Sequence, residues 1–294
     1  MMKLMEKKLF RPDARRQAKK RALRPLGQFN SLFNLSASRP KKSLGQNFLM
    51  HARIAERIAD AAKLSRDATV FEIGPGTGVL TRALLERAGK VIAVEADREL
   101  FEKLQFDFAN EITAGRLKLL YGDVRSLDIA TLPKGYTLVA NIPYYLTGEI
   151  FRKFLESKNQ PSAMTLLVQK EVAERIARSK KESILSLSVK AYGTPKYEFT
   201  VPRGAFKPAP KVDSAVLTIQ NISRKNFALR SGEELFFALL HAGFAHKRKF
   251  ARKNLADAGF SAENIPEKAR AEDIPIDQWL AITPLESGKS LPSV

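Results

Sequence analysis

From residue 69 to residue 168 the sequence alternates short apolar runs with longer amphipathic stretches, and this pattern constrains the fold more than any other feature. The apolar runs are Thr69–Ile73, Val91–Glu95, Leu117–Tyr121, Leu138–Ala140 and Met164–Val168. Helical spacing predicts helices over Leu80–Arg87, Glu99–Phe108 and Gly148–Leu155, with a further amphipathic helix over Ala52–Leu64 ahead of the first run. Apolar strands that lack polar alternation are buried on both sides, and helices between them supply the cover. The expectation is therefore an α/β fold with a parallel sheet and helices on both faces. Ligands of such sheets sit beyond the carboxyl ends of the strands. Residues 74–78, 95, 122–123 and 141–144 each follow a strand and are expected to meet at one site.

The first of these segments is Glu72-Ile73-Gly74-Pro75-Gly76-Thr77-Gly78, at a strand-to-helix junction. Gly74 and Gly76 let a ligand approach the backbone closely, and Pro75 stiffens the turn. A dinucleotide fingerprint would read G-x-G-x-x-G, but here the third glycine arrives one position early. That spacing, with an acid two residues before the first glycine, is typical of S-adenosylmethionine-dependent methyltransferases. Glu95 ends the next strand, where a carboxylate can accept both ribose hydroxyls, and Asp123 is placed to accept the amino group of the cofactor's adenine. On this reading the sheet is Rossmann-like and S-adenosylmethionine is the cofactor. A bare Gly-Pro-Gly bend is the alternative for the loop taken alone.

Asn141-Ile142-Pro143-Tyr144 closes a hydrophobic strand. Pro143 removes a donor and turns Ile142 away from helix, so the strand must stop there. An amide, a carbonyl and a flat ring are then displayed together. The Asn141 oxygen and the Ile142 carbonyl can accept the two hydrogens of an exocyclic amino group while Tyr144 stacks on the base. In isolation the same stretch also reads as an ordinary strand end with a proline turn.

The chain carries a formal net charge of +19, with 50 Lys and Arg against 31 Asp and Glu over 294 residues. So large an excess points to a polyanion, nucleic acid first and a membrane surface second. No apolar run is long enough to span a bilayer, and no membrane partner is expected. The absence of cysteine excludes disulfides, thiolate zinc sites, iron–sulfur clusters and the cysteine attack that methylation at a pyrimidine ring carbon generally uses. With only three histidines, metal-free chemistry is expected.

Residues 1–40 read as a basic arm that is disordered when free: thirteen Lys and Arg between Lys3 and Lys42 face only Glu6 and Asp13. An RNA-binding arm, a solvated tail and an organelle transit segment all fit it. Lacking a secretory core, the chain is expected to be cytoplasmic. Residues 41–220 read as the catalytic domain, ending in strands over Tyr197–Val201 and Ser214–Ile219 around the Pro-rich Phe206–Pro210. Residues 221–294 read as a small helical domain. Its basic run, Phe244–Leu255, reads as a helix and carries Lys247, Arg248, Lys249, Arg252 and Lys253, which fit RNA phosphates or a solvated helix face.

Together these residues resemble the small-subunit ribosomal RNA adenine N6,N6-dimethyltransferase family. The resemblance runs from Lys41 to about Asn254. It is carried by Lys42-Ser43-Leu44-Gly45-Gln46-Asn47-Phe48-Leu49, the glycine loop, Gly122-Asp123, Asn141–Tyr144, Gln169-Lys170-Glu171-Val172 and Phe206-x-Pro208-x-Pro210-Lys211-Val212-Asp213-Ser214-Ala215-Val216. It implies that Asn47, Leu49, Gly74, Glu95, Asp123 and Asn141 contact S-adenosylmethionine and that Tyr144 and Phe206 flank the target adenine. It also implies two methyl groups on each of two adjacent adenines in small-subunit RNA, during assembly of that subunit, by a monomer. Relatives that methylate large-subunit RNA share the Asn-Ile-Pro-Tyr form. The run Lys211–Val216 and the basic run after Phe244 are more similar to the small-subunit branch. Ile184-Leu185, Thr147-Gly148 and the long basic arm depart from the usual pattern. Two other classes remain for the same residues. A catalytically idle RNA-binding assembly factor is disfavoured by the intact Asn141–Tyr144 set, and a nicotinamide oxidoreductase by the glycine spacing.

Overall fold

The computed structural model describes residues 46–227 and 229–283. The basic arm 1–40 and the motif residues Lys42–Gly45 lie outside the described residues. The predicted alternation appears as a seven-stranded sheet: β2 (Thr69–Ile73), β3 (Lys90–Glu95), β4 (Leu117–Tyr121), β5 (Thr137–Asn141), β6 (Ala163–Gln169), β7 (Thr194–Val201) and β9 (Ser214–Gln220), in the order β4-β3-β2-β5-β6-β9-β7. The first five strands in that order are parallel, and β9 runs antiparallel to both β6 and β7. Two short strands, β1 (Phe48–Leu49) and β8 (Phe206–Lys207), pair antiparallel as a separate ribbon.

Strand alternation explains the two cores. On β2 and β5, Phe71, Ile73, Leu138 and Ala140 face one hydrophobic cluster, whereas Val70 and Val139 face the other. The second cluster is covered by α1 (Ala52–Ala61), α2 (Val79–Leu85) and α3 (Arg98–Asp107). The first is covered by α5 (Thr147–Leu155), α6 (Lys170–Ala177) and α7 (Ile184–Tyr192), α4 being the short Ala109–Thr113. Asp97 caps α3 by accepting from Glu99 N, and Ser183 with Ser186 forms a capping box on α7 at the Ile184-Leu185 departure.

The residues after 221 contribute α8 (Arg230–Gly243), α9 (Ala251–Asp257) and α10 (Ile276–Ala281). Phe236, Leu239, Leu240, Leu255 and Trp279 from these helices join the same cluster as α5–α7. The segment therefore packs against α7, over the helical layer on that side of the sheet. The sequence reading of Phe244–Leu255 as one basic helix needs correction. Residues 244–250 form a turn, and helix resumes only at Ala251. The buried Asn254 side chain donates to Gly243 O at 2.7 Å and His246 O at 3.1 Å, taking up carbonyls that a continuous helix would have paired internally.

The chain order fixes where a ligand can bind. From β2 the chain runs outward through β3 to β4, then returns to place β5 on the other side of β2, with Ile73 opposite Ala140. The crevice at this reversal lies between the loops that follow β2 and β5, which are the glycine loop and Asn141–Tyr144.

Candidate active site

A single cavity at the carboxyl edge is lined by Asn47, Leu49, Gly74, Gly76, Glu95, Asp123, Asn141, Ile142, Pro143 and Tyr144. These are all of the predicted cofactor and base residues except Phe206. Phe206 is only 5% exposed and packs with Leu49, Val201 and Val216 in the cluster behind the ribbon. Its register explains this: Phe206 pairs with the buried Leu49, so both rings and methyls point into the core. The basic residues Lys247, Arg248, Lys249, Arg252 and Lys253 do not line the cavity.

The glycine loop is built by backbone conformation. Gly74 has φ +64°, and a Cβ there meets nothing within 4 Å, so its open side is the cavity. Gly78 has φ +80°, and a Cβ there would sit 2.6 Å from the Phe108 ring. The two glycines therefore do different jobs. Gly74→Ala should weaken cofactor binding with a stability loss of about 1–2 kcal/mol. Gly78→Ala should cost more stability, since strain and overpacking add. Thermal melts and cofactor titration of both variants separate the effects.

Glu95 is held from two sides: Gly76 N donates to Oε2 at 3.1 Å and Asp97 N to Oε1 at 2.9 Å. Burial raises its pKa, and these backbone bonds oppose the rise. Each carboxylate oxygen retains a second lone pair, so both can still accept hydroxyls. Asp123 accepts from Arg125 N and, at 2.6–3.1 Å, from the Arg125 guanidinium. Burial pushes its carboxyl up, but the Arg125 bonds and charge outweigh that and hold it low.

Asn141 and Tyr144 are each tied at one end. Asn141 Nδ2 donates to Asn47 O at 3.1 Å, which turns Oδ1 away as the remaining acceptor. The Tyr144 hydroxyl and Ser214 Oγ share a hydrogen bond of 2.6 Å. Ser214 reaches it because β9 is antiparallel to β6, with Gln169 opposite Ser214, so β9 begins at the carboxyl edge. Tyr145, next in sequence, also lines the cavity and is 60% exposed.

Glu72 is a residue to which the sequence reading assigned no role beyond its spacing. It lines the cavity while only 1% exposed; Thr81 Oγ1 donates to Oε2 at 2.8 Å, and Oε1 is buried without a partner. Burial pushes its carboxyl from 4.5 to about 8, against the Thr81 bond and with help from the nearby Glu95 charge. A folded-state pKa above the unfolded one gives stability that is complete below about pH 4.5 and is lost as pH rises through about 8. Glu72→Gln does not titrate. Its Tm relative to the native chain is therefore expected to rise between pH 5 and 8 and then level off, as read by melts across that range.

Among the described residues no group of three or more His, Asp or Glu side chains could hold a metal ion, and no helix is long and apolar enough to cross a membrane.

A parallel sheet with a glycine loop and strand-end acids at its reversal, facing an Asn-Ile-Pro-Tyr turn, is the arrangement of a Rossmann-like methyltransferase. The sequence model of the ribosomal RNA adenine dimethylase family matches residues 37–285. The chain is 37% identical over 262 residues to ribosomal RNA small subunit methyltransferase A of Fusobacterium nucleatum, covering 85% of this chain and 98% of that one. It is 39% identical over 253 residues to the protein of the same name from Dehalococcoides mccartyi, covering 81% and 86%. Among solved structures, the 23S rRNA methyltransferase ErmE aligns with a TM-score of 0.67 at 25% identity, covering 81% of this chain and 98% of that chain. A dimethyladenosine transferase from Plasmodium falciparum aligns with a TM-score of 0.66 at 25% identity, covering 80% and 95%. This chain belongs to the ribosomal RNA adenine dimethylase family.

Proposed function

We propose that the protein transfers methyl groups from S-adenosylmethionine to N6 of two adjacent adenines in small-subunit ribosomal RNA, two to each, during assembly of that subunit. The observation that carries this reading is the joining, in one cavity, of the glycine loop and its acids with an Asn141 amide whose Nδ2 is already engaged. Small-subunit methyltransferases among the relatives at 37–39% identity support the choice of RNA. Action on ribosomal subunits would put the protein in the cytoplasm.

The residues present fit the cofactor. Gly74 leaves space on the cavity side, and Glu95 keeps two lone pairs for ribose hydroxyls. Asn47, Leu49, Gly76 and Asp123 complete the wall. When bound, S-adenosylmethionine supplies an electrophilic methyl on a sulfonium.

The protein's task is to present a nucleophile. An adenine amino nitrogen is weakly nucleophilic because its lone pair is delocalised into the ring. Asn141 Oδ1 and the Ile142 carbonyl accept its two hydrogens, favouring a pyramidal nitrogen whose lone pair points out of the ring plane. Pro143 ends the strand and fixes the direction in which Tyr144 leaves it. The Tyr144 ring stacks on the unstacked base, and Ser214 holds that ring from its hydroxyl end. With positioning as the source of rate, the proton leaves to solvent after transfer, and no titrating base is required. In this scheme Phe206 backs the ribbon beneath the site, and the basic turn and α9 serve as an RNA contact.

The structural likeness to a 23S rRNA methyltransferase makes large-subunit RNA the second reading. Incubation with labelled S-adenosylmethionine and under-methylated small and large subunits separates the two. Label in the small subunit is expected; label in the large subunit alone would overturn the choice.

A further inference from the structure

The loop from Arg203 to Asp213 joins β7 to β9, and both ends of the loop lie at the carboxyl edge of the sheet, where Val201 pairs with Ser214. Three contacts lock it there. Arg203 N donates to Asp213 Oδ1 at 2.9 Å, Lys170 N donates to Asp213 O at 3.0 Å, and Met50 N donates to Ala205 O at 2.9 Å. Its last neighbour in sequence, Ser214, holds Tyr144. The loop is thus anchored beside the cavity wall, next to Tyr144 and the Phe48–Leu49 strand, while none of its own residues lines the cavity.

Its side chains differ from the ion-paired cations on the helices. Arg98, Lys103, Arg152 and Arg230 each lie against an acid one helical turn away. Arg203, Lys207 and Lys211 are exposed, and none of their side chains has an ion-pair or hydrogen-bond partner among the described residues. The ribbon register also aims one of them. Lys207 is opposite Phe48, and directly opposed residues project to the same side. Phe48 faces the glycine loop, its ring 3.1 Å from where a Cβ of Gly76 would be. Lys207 therefore stands on the Phe48 side of the ribbon and is exposed, whereas its neighbour Phe206 points into the core. Met50 and Val212, 51% and 41% exposed, add apolar surface beside these cations.

Unpaired cations with apolar side chains between them, on a loop anchored beside a base-binding cavity, fit a sugar–phosphate strand and not a folded acidic protein face. We propose that Arg203, Lys207 and Lys211 bind the phosphates of the nucleotides flanking the target adenine, a contact separate from the basic turn at 247–253. This inference rests on the reading of the cavity as an RNA adenine site. It deepens that reading by giving the flipped base a local backbone grip.

The test measures binding of a single-stranded oligonucleotide with two adjacent adenines across a salt series. It compares the native chain with the triple variant Arg203→Gln, Lys207→Gln, Lys211→Gln and with Lys207→Arg, Lys211→Arg. Each lost phosphate contact on a single strand removes about 0.7 from the slope of log K against log salt, so the Gln variant should lose about two. Its affinity at 0.1 M salt should fall about ten- to hundredfold, while the Arg variant and the S-adenosylmethionine affinity of both variants stay near native. An unchanged slope in the Gln variant would overturn the inference, as would an equal loss in the Arg variant. If the native chain binds the oligonucleotide but methylates no adenine in under-methylated small subunits, the functional reading fails while the slope comparison still judges the loop.

Discussion

Asn141→Ala is expected to lower kcat for methyl transfer by about two to three orders of magnitude, the scale set by removing one preorganised hydrogen-bonding group from a reacting centre. Asn141 closes β5 directly beside the glycine loop, and its Nδ2 bond to Asn47 O fixes the amide with Oδ1 available for the substrate amino group. Removing the side chain deletes one of two acceptors and the bond to Asn47 O at once. Cofactor affinity should therefore also fall, but by less than kcat. Asn141→Asp retains the acceptor and loses the donor to Asn47 O, so its carboxylate faces that carbonyl without a shared proton. It should recover part of kcat while cofactor affinity remains impaired. Single-turnover rates and calorimetry on the same samples give both numbers. Equal kcat for the native and Ala forms would remove Asn141 from the chemistry.

Tyr144→Ala should have the next largest effect. Base stacking on an aromatic ring is worth about 1–3 kcal/mol, which corresponds to a loss of roughly five- to 150-fold in kcat/KM for RNA. The cofactor Kd should move little, because the ring belongs to the acceptor side. Tyr144→Phe keeps the ring and loses the 2.6 Å bond to Ser214. Its loss should be several-fold and should match that of Ser214→Ala, with little further loss in the double variant, since both remove the same bond. If Tyr144→Phe were as impaired as Tyr144→Ala, the hydroxyl and not the ring would carry the effect.

Local pattern predicted local structure well. Thr69–Ile73 and Leu117–Tyr121 occur as strands with the predicted bounds, because apolar runs between turn residues carry their own signal. That the glycine loop, Glu95, Asp123 and Asn141–Tyr144 would meet at one cavity was legible for the same reason: each follows a strand, and a parallel sheet collects strand ends. Long-range pairing was not legible. Nothing near Phe48 or Phe206 marks two-residue strands that pair across about 160 residues, so the burial of Phe206 could not be foreseen. Ser214 reads as an ordinary strand start until β9 is known to run antiparallel to β6. The basic run after Phe244 has helical composition, yet residues 244–250 form a turn whose carbonyls at Gly243 and His246 are taken up by the distant Asn254 side chain. Glu72 looked like one letter of a motif, and only its burial exposes an orphaned carboxyl oxygen in the cavity wall.

The central claim is that this cavity presents adenine N6 to a methyl donor. Its most direct measurement is mass analysis of nucleosides from under-methylated small subunits incubated with the pure protein and isotopically labelled S-adenosylmethionine. N6,N6-dimethyladenosine at two adjacent positions, absent when Asn141→Ala replaces the native chain, is the result expected. Label confined to another nucleoside, or dimethyladenosine formed equally by the Asn141→Ala protein, would contradict it.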